Sequence, residues 1–319
     1  MRRNATQVID NQIANVARYH GGSFETLNAY MSDRPVKLNY DYTVSEDNPD
    51  SIKKLFKVGS HLPLIGIEFE TVSDLSTTSA DRQTVIVNIE KMIFQNVGLP
   101  KDFFKCEQDC TVDVECVSQT FSKAWMRNNY NRFKAMYDAM AQMTITTNDS
   151  RCGMHVNLDL SNFGKTHDVQ VDNVRKLGYL INKHYNFFVV AFARNRRCTH
   201  WCPRMNDSMD YWKTSTYFPT DHSSCCINMG HLNQNRVEIR LVGGQRNYPC
   251  FRNTMEVVFK VIESVKKLSW KDMDDLTKVF AGCNHNVWSR LNEECRNANV
   301  ISSEDLEKIK ATKTDERFV

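Results

Sequence analysis

The sequence lacks long hydrophobic runs and any large excess of charge of one sign. No apolar stretch approaches the roughly 18 residues of a membrane span, and the first residues lead into polar sequence rather than an apolar signal core. The net charge of +3 is too small to favour nucleic acid or an anionic membrane by bulk electrostatics. We therefore expect a cytoplasmic protein that does not enter a membrane, with nucleic acid disfavoured as a partner.

Several well-known motifs are also missing. The chain contains no P-loop, no G-x-G-x-x-G, no internal repeat and no C-x-x-C pair. Its eleven cysteines are odd in number and follow no repeating framework, which is typical of reduced thiols in a cytosolic protein. The most closely spaced cysteines are Cys106/Cys110, Cys198/Cys202 and Cys225/Cys226. They leave a structural zinc site open, although buried or incidental thiols are the simpler interpretation.

The 319 residues contain 41% hydrophobic residues, enough for one large core or two modest ones. Helical spacing of apolar residues predicts helices over 84–97, 121–143, 169–193 and 254–268. We expect three segments: an N-terminal helical or loop extension over 1–60, a main domain over 61–270, and a C-terminal helical segment with a polar tail over 271–319. The helices alternate with strands, which predicts an α+β fold.

One strand carries the most distinctive pattern. Over residues 64–72, Ile65, Ile67 and Phe69 alternate with Gly66, Glu68 and Glu70, so that two carboxylates share one face. Taken alone, this pattern fits the solvated face of a half-exposed strand as well as it fits a cation site.

Three later stretches repeat the two-faced pattern. Their polar faces hold Asp109, Asp113 and Glu115 (103–118), His155, Asn157 and Asp159 (151–160), and Glu238 and Arg240 (235–244). A short strand over 223–229 leads to Asn228. An ordinary solvated face would be rich in Lys, Ser, Gln and Thr, whereas carboxylates and arginine suit divalent cations and phosphate. This residue set predicts a metal and nucleotide cleft on one face of a sheet, with helices on the other.

An arginine-rich stretch over 194–204 includes Arg194, Arg196 and the pair Trp201-Cys202. These arginines would clamp a nucleic-acid backbone, neutralise a triphosphate, or cap the C-terminus of the preceding helix. The stretch itself does not choose among the three.

The segments together resemble the amidoligase family of carboxylate–amine ligases, which is related to glutamine synthetase and glutamate–cysteine ligase. The G-x-E-x-E strand of that family is matched by Gly66, Glu68 and Glu70, and its D-x-S/T and v-E-l-v-S segments by Asp109, Thr111, Glu115 and Ser118. The C-G-l-H-V-H strand is matched by Cys152 to Val156, with Asn157 in place of the second histidine. The E-x-R strand and glycine pair are matched by Glu238, Arg240, Gly243 and Gly244.

The resemblance implies a curved, mainly antiparallel sheet that forms a glutamine-synthetase-like funnel, with helices packed on one face. It implies an enzyme that uses ATP and Mg²⁺ to activate a carboxylate as an acyl phosphate. An amine then attacks to give an amide or peptide-like bond. The partners would be small-molecule or peptide carboxylates and amines.

The resemblance also implies roles for individual residues. The metal ligands would be Glu68, Glu70, Glu115 and Glu238, assisted by His155 and Asp109. Arg240 would meet the transferred phosphoryl group, and Arg194 or Arg196 a phosphate or the substrate carboxylate. Asn157 and Asn228 would contact the nucleotide.

Two other functions remain open at this level. A phosphotransferase on the same fold would need the same metal and arginine positions but only one acceptor. A nucleic-acid-binding protein with a decayed nucleotide site would depend on the arginine-rich stretch instead.

Overall fold

The computed structural model describes residues 63–73, 97–99, 103–107, 112–118, 120–142, 145–194, 196–214, 225–230, 232 and 235–312. The fold is mixed α+β, with a mostly antiparallel, open sheet and several helices. Three predicted stretches lie outside the described residues: the extension over 1–60, residues 84–96 of the helix predicted over 84–97, and residues 313–319 of the polar tail.

The described strands are β1 (Leu64–Ser73), β2 (Phe104–Glu107), β3 (Val114–Ser118), β4 (Phe121–Ser122), β5 (Ile145–Thr146), β6 (Met154–Asp159), β7 (Ile227–Asn228) and β8 (Arg236–Ile239). The described α-helices are α1 (Lys123–Asn128), α2 (Tyr130–Gln142), α3 (His167–Lys183), α4 (Tyr185–Ala191), α5 (Met209–Thr214), α6 (Tyr248–Lys267), α7 (Leu276–Val279), α8 (His285–Arg290) and α9 (Ser303–Ala311). Short 3₁₀ helices cover Leu160–Asn162, Arg196–Trp201 and Lys271–Asp274, and a π-helix covers Leu291–Cys295.

The chain divides into two compact units. Within the described residues, the first comprises 66–152 and 244–248. The second comprises 63–65, 153–243 and 249–312.

The first unit is built on antiparallel strands. β3 lies between β1 and β2, with Glu70 opposite Glu115 on one side and Glu107 opposite Glu115 on the other. β5 pairs with the far end of β1, where Val72 lies opposite Thr146. The sequence pattern over 103–118 predicted one extended stretch, and the structure has two short strands instead.

An aromatic cluster fills the core of the first unit. The Phe103 ring lies 4.8 Å from that of Phe104 and 4.9 Å from that of Trp125, and Phe69 meets Phe104 edge-on at 5.1 Å. Aromatic rings at these separations contribute beyond the area that they bury. The cluster therefore fixes β1 and β2 against the helices that follow.

The single helix predicted over 121–143 is wrong, because the segment forms β4, α1 and α2. The Ser122 side chain accepts a hydrogen bond from the Trp125 N–H at 3.1 Å and so starts α1 as an N-cap. Asn129 then separates the two helices, and its side-chain amide donates to the Trp125 carbonyl at 2.7 Å. On α2 the side formed by Phe133, Met136, Tyr137 and Met140 is buried.

The second unit has its own antiparallel group, in which β8 lies between β6 and β7. The apolar faces predicted for these strands are buried, including Val156, Leu158, Val237 and Ile239.

The predicted helix over 169–193 is two helices, because α3 ends at Lys183 and α4 begins at Tyr185, with His184 between them. The amphipathic α6 is longer than predicted and begins six residues earlier. The described part of the C-terminal segment is helical, and it forms the short helices α7 to α9. Every described helix is too short or too polar to cross a bilayer.

Candidate functional site

The polar face of β1 and β3 in the first unit is buried. Glu68 is 3% exposed and Glu115 2% exposed, whereas Glu70 is partly exposed. The first two values do not fit the solvated strand face that the alternating pattern also allowed. Burial of a carboxylate is costly unless a partner compensates its charge.

Two of these carboxylates lie close enough to share an ion. Glu68 and Glu115 each bring a carboxylate oxygen to within 4.8 Å of the other. If both are ionised, their repulsion at that distance is about 3.5 kcal/mol at an effective dielectric near 20. Oxygen ligands of this kind are those that Mg²⁺ and Ca²⁺ prefer, so the donor set fits a hard divalent cation.

Hydrogen bonds lock β3 onto β1 around this pair. The Ile67 N–H donates to the Ser118 hydroxyl at 2.8 Å, and the Thr71 hydroxyl donates to the Val114 carbonyl at 3.1 Å. Ser118 is the residue that matches the serine of the v-E-l-v-S pattern in the sequence comparison above. The Ser118 hydroxyl therefore helps to hold the strand that carries Glu115 against β1.

Two further acidic residues flank the pair. Asp113 is buried directly before β3, and its N–H donates to the Thr71 carbonyl at 3.1 Å. Glu107 on β2 lies opposite Glu115 in the strand register. The sequence analysis did not single out Glu107, although a period of two places it on the same face as Asp109 and Glu115.

In the second unit, Glu238 is the centre of a buried polar network. It lies opposite Asn157 on β6 and opposite Asn228 on β7. Its carboxylate accepts hydrogen bonds from the Asn228 side-chain amide at 3.0 Å and from Arg240 Nη1 at 2.8 Å. His155 Nδ1 lies 3.2 Å from the same oxygen that Arg240 contacts.

This network keeps Glu238 ionised. Burial alone would raise the pKa of the Glu238 carboxyl, but the nearby His155 and Arg240 and the Asn228 hydrogen bond outweigh that effect and lower it. A carboxylate with an arginine and a histidine on one oxygen holds both partners in a fixed direction.

Arg236 belongs to this network and was also missed. Its Nη1 donates to the Asn157 side-chain oxygen at 3.0 Å. Arg236, Glu238 and Arg240 follow one another at a spacing of two, so the strand period that singled out the last two was a sufficient signal for the first. Asn157 is therefore held by an arginine, with its oxygen used as an acceptor.

Arg194 is held at the end of α4. Ala193 has a φ of 58°, and the Arg194 guanidinium donates to the Val242 carbonyl at 3.4 Å. Arg290 donates to the carbonyls of Ala191 at 3.1 Å and Val190 at 2.7 Å, which closes the C-terminus of α4. Arg194 is thus tied to the segment that follows β8.

Two predicted site residues are not placed. Asp109 lies outside the described residues, and Arg196 begins a 3₁₀ helix whose first side chains are not described. The other predicted residues fall into two groups. Glu68, Glu70 and Glu115 lie in the first unit, and His155, Asn157, Arg194, Asn228, Glu238 and Arg240 lie in the second.

The cysteines that the structure describes give the zinc alternative no support. Cys152 is a buried thiol whose pKa burial raises to about 12. It packs with Val72 and Val112 in a hydrophobic cluster. Within the part of the chain that the structure describes, no cysteine belongs to a group of three metal-ligating side chains.

Comparison of the whole sequence with known proteins adds no family. No protein-family model matches the chain, and no curated protein matches it.

Proposed function

We propose that this chain is an ATP- and Mg²⁺-dependent carboxylate–amine ligase, built on a curved glutamine-synthetase-like funnel. The observation that carries the proposal is the buried pair Glu68 and Glu115, whose carboxylate oxygens lie within 4.8 Å of each other. Two ionised carboxylates repel each other at this distance, and a divalent cation bound between them would offset that repulsion.

The ligand set in this proposal starts from that pair. Glu68 and Glu115 hold the metal, with Glu70, Glu238, His155 and Asp109 as the further ligands that the sequence resemblance implies. When bound, Mg²⁺ supplies positive charge to the phosphate oxygens of ATP.

Arg240 has the features of a phosphoryl clamp. Its hydrogen bond to the Glu238 carboxylate fixes the direction of the guanidinium group, and its side chain is 17% exposed, so it reaches solvent. A guanidinium group binds two oxygens of one phosphate at once. Asn157 and Asn228, held by Arg236 and Glu238, supply polar contacts to the nucleotide.

The proposed reaction has two steps. A substrate carboxylate oxygen attacks the γ-phosphorus of ATP and ADP leaves, which gives an acyl phosphate. The nitrogen of an amine then attacks the acyl carbon, phosphate leaves, and the nitrogen loses a proton as the amide forms. The chain contributes positioning and charge neutralisation to both steps.

Metal binding tests the observation that carries the proposal. We expect Mg²⁺ at 100 times its dissociation constant to stabilise the wild-type protein by about 2.7 kcal/mol, and Mn²⁺ to bind in a titration followed by electron paramagnetic resonance. Glu68→Gln and Glu115→Gln should each abolish both effects, because the amide removes the charge that the ion neutralises.

A matched control separates metal binding from loss of a buried acid. Glu256→Gln removes another buried carboxylate, one that accepts a hydrogen bond from the Asn284 amide at 3.0 Å. Its metal response should equal that of the wild type. If all three variants respond alike, or if the wild type binds no divalent ion, the proposed metal site is wrong.

A further inference from the structure

Two cysteines of the first unit face one another across neighbouring strands. Cys106 on β2 and Cys116 on β3 are directly opposite in the register, and their sulfur atoms lie 3.5 Å apart. Opposed Cα atoms in antiparallel strands are about 4.5–5.5 Å apart, within the range of about 4.4–6.8 Å that disulfides span. The sulfur atoms need to approach by about 1.5 Å to reach bonding distance.

The surroundings of the two cysteines favour a disulfide between them over other oxidation products. Cys116 has Phe69 as its other cross-strand neighbour, and Phe69 packs edge-on against Phe104. Both thiols are buried on this apolar side, so a first oxidised sulfur has the second thiol as its nearest reaction partner.

Local opening of β2 would give an oxidant access to the pair. Among the described strands of the first unit, β2 has four residues and ends the strand order, where it pairs with β3. Short edge strands open at a lower free energy than central ones, which gives a buried thiol transient access to solvent.

We propose that Cys106 and Cys116 form a reversible cross-strand disulfide, which tethers β2 to the strand that carries Glu115. With hydrogen peroxide as oxidant, one thiolate attacks an oxygen, the O–O bond breaks and a sulfenic acid forms. The second thiolate attacks that sulfur, the S–O bond breaks and water leaves. The thiols lose two electrons and two protons in all, and the peroxide is reduced to two waters.

The inference does not depend on the proposed ligase activity. Glu115 directly precedes Cys116 and projects to the opposite side of β3. Oxidation therefore leaves the carboxylate chemically unchanged while it fixes the strand on which the carboxylate stands.

Mass spectrometry of the full-length protein tests the proposal. The protein is treated with hydrogen peroxide, denatured with N-ethylmaleimide present and digested without reductant. We expect one peptide pair that joins Cys106 to Cys116, two hydrogen atoms lighter than the separate peptides, and its disappearance with dithiothreitol. In the oxidised protein, amide hydrogens of β2 should exchange more slowly than in the reduced protein.

Variants and alternative products decide the outcome. Cys106→Ala should lose both the cross-link and the slowed exchange, whereas Cys295→Ala, which removes a buried thiol of the second unit, should keep both. Since the linked peptide is sought in the wild type, the test does not require a variant to fold. Full alkylation of both cysteines after peroxide, a link from either to Cys110, or unchanged exchange at β2 would overturn the proposal.

Discussion

At the scale of single residues, the hydrogen bond between Arg240 and Glu238 depends on the shape of the guanidinium group. Arg240→Lys keeps the positive charge beside Glu238 but loses the planar fork that holds two phosphate oxygens. We expect kcat to fall about 100-fold or more, while the KM for ATP changes by less than about threefold, because the lost contact acts on the transition state. Steady-state kinetics with varied ATP measure both constants.

Arg204→Lys is the matched control for this change. Arg204 is exposed and pairs with Asp207, so its replacement should leave both constants unchanged. Equal losses of kcat and ATP affinity in Arg240→Lys would mean that Arg240 binds the ground state only.

The sequence could predict which side chains share a strand face, but it could not predict that these faces are buried. Glu68, Glu115 and Glu238 alternate with apolar residues in the same way as the polar residues of a half-exposed strand would. Burial comes from elements far away in the chain, and a two-residue period carries no information about them. The same limit applies to the position of Glu107 opposite Glu115, which depends on the pairing of β2 with β3.

At the scale of secondary-structure elements, Gly244 lies where two backbone segments touch. A Cβ atom at Gly244 would lie 1.8 Å from the Thr147 carbonyl oxygen, a contact that only a backbone shift can relieve. We expect Gly244→Ala to destabilise the first unit by about 2–4 kcal/mol, measured as a lower urea midpoint.

Gly282→Ala provides the comparison for the glycine variant. Gly282 has a φ of 67°, and its nearest neighbour to an added Cβ is 3.9 Å away. Gly282→Ala should lower the free energy of unfolding by about 1–2 kcal/mol, because alanine is strained in the left-handed backbone conformation. If Gly244→Ala lowers the free energy of unfolding by no more than Gly282→Ala does, the backbone around Gly244 and Thr147 can shift to accept the added Cβ.

His184 separates α3 from α4 and makes the second unit sensitive to acid. Burial lowers the pKa of its imidazole, and its Nε2 lies 2.9 Å from the Met273 carbonyl. A lowered pKa in the folded state means that the unfolded chain takes up the proton first. The stability that His184 contributes is therefore complete above about pH 6.5 and is lost as the pH falls through the folded-state pKa.

Replacement of His184 should remove this acid sensitivity. Below pH 6.5, protonation of His184 should lower the free energy of unfolding of the wild type by up to about 1.4 kcal/mol per pH unit. His184→Gln should lack this part of the decrease. Urea titrations between pH 5 and 8 measure it. Identical pH profiles in the two proteins would contradict the assignment.

The breaks within the predicted helices were beyond the sequence pattern. The apolar positions continue through Asn129 and His184, so periodicity predicts uninterrupted helices. The side-chain amide of Asn129 binds the Trp125 carbonyl, and the His184 ring binds the Met273 carbonyl from a distant segment. The first of these is a local contact that polar residues often make, while the second depends on tertiary structure.

At the scale of the whole molecule, the mixed α+β class follows from the sequence, because apolar stripes and alternating strands are the strongest local signals. The division into two compact units does not, since each unit combines segments that are distant in the chain. The ligase proposal needs both the Glu68 and Glu115 pair of the first unit and the Glu238 and Arg240 network of the second. We expect ATP turnover to require Mg²⁺, a carboxylate and an amine together.

The fate of oxygen in the substrate carboxylate tests this account most directly. A screen of carboxylates and amines with mass detection of amides would identify a productive pair, and the carboxylate would then be labelled with ¹⁸O. We expect one labelled oxygen per turnover to appear in inorganic phosphate, because the amine displaces phosphate by breaking the bond between the acyl carbon and the bridging oxygen. Turnover that leaves all of the label in the carboxylate-derived product, or that proceeds without an amine to a stable phosphorylated product, would contradict it.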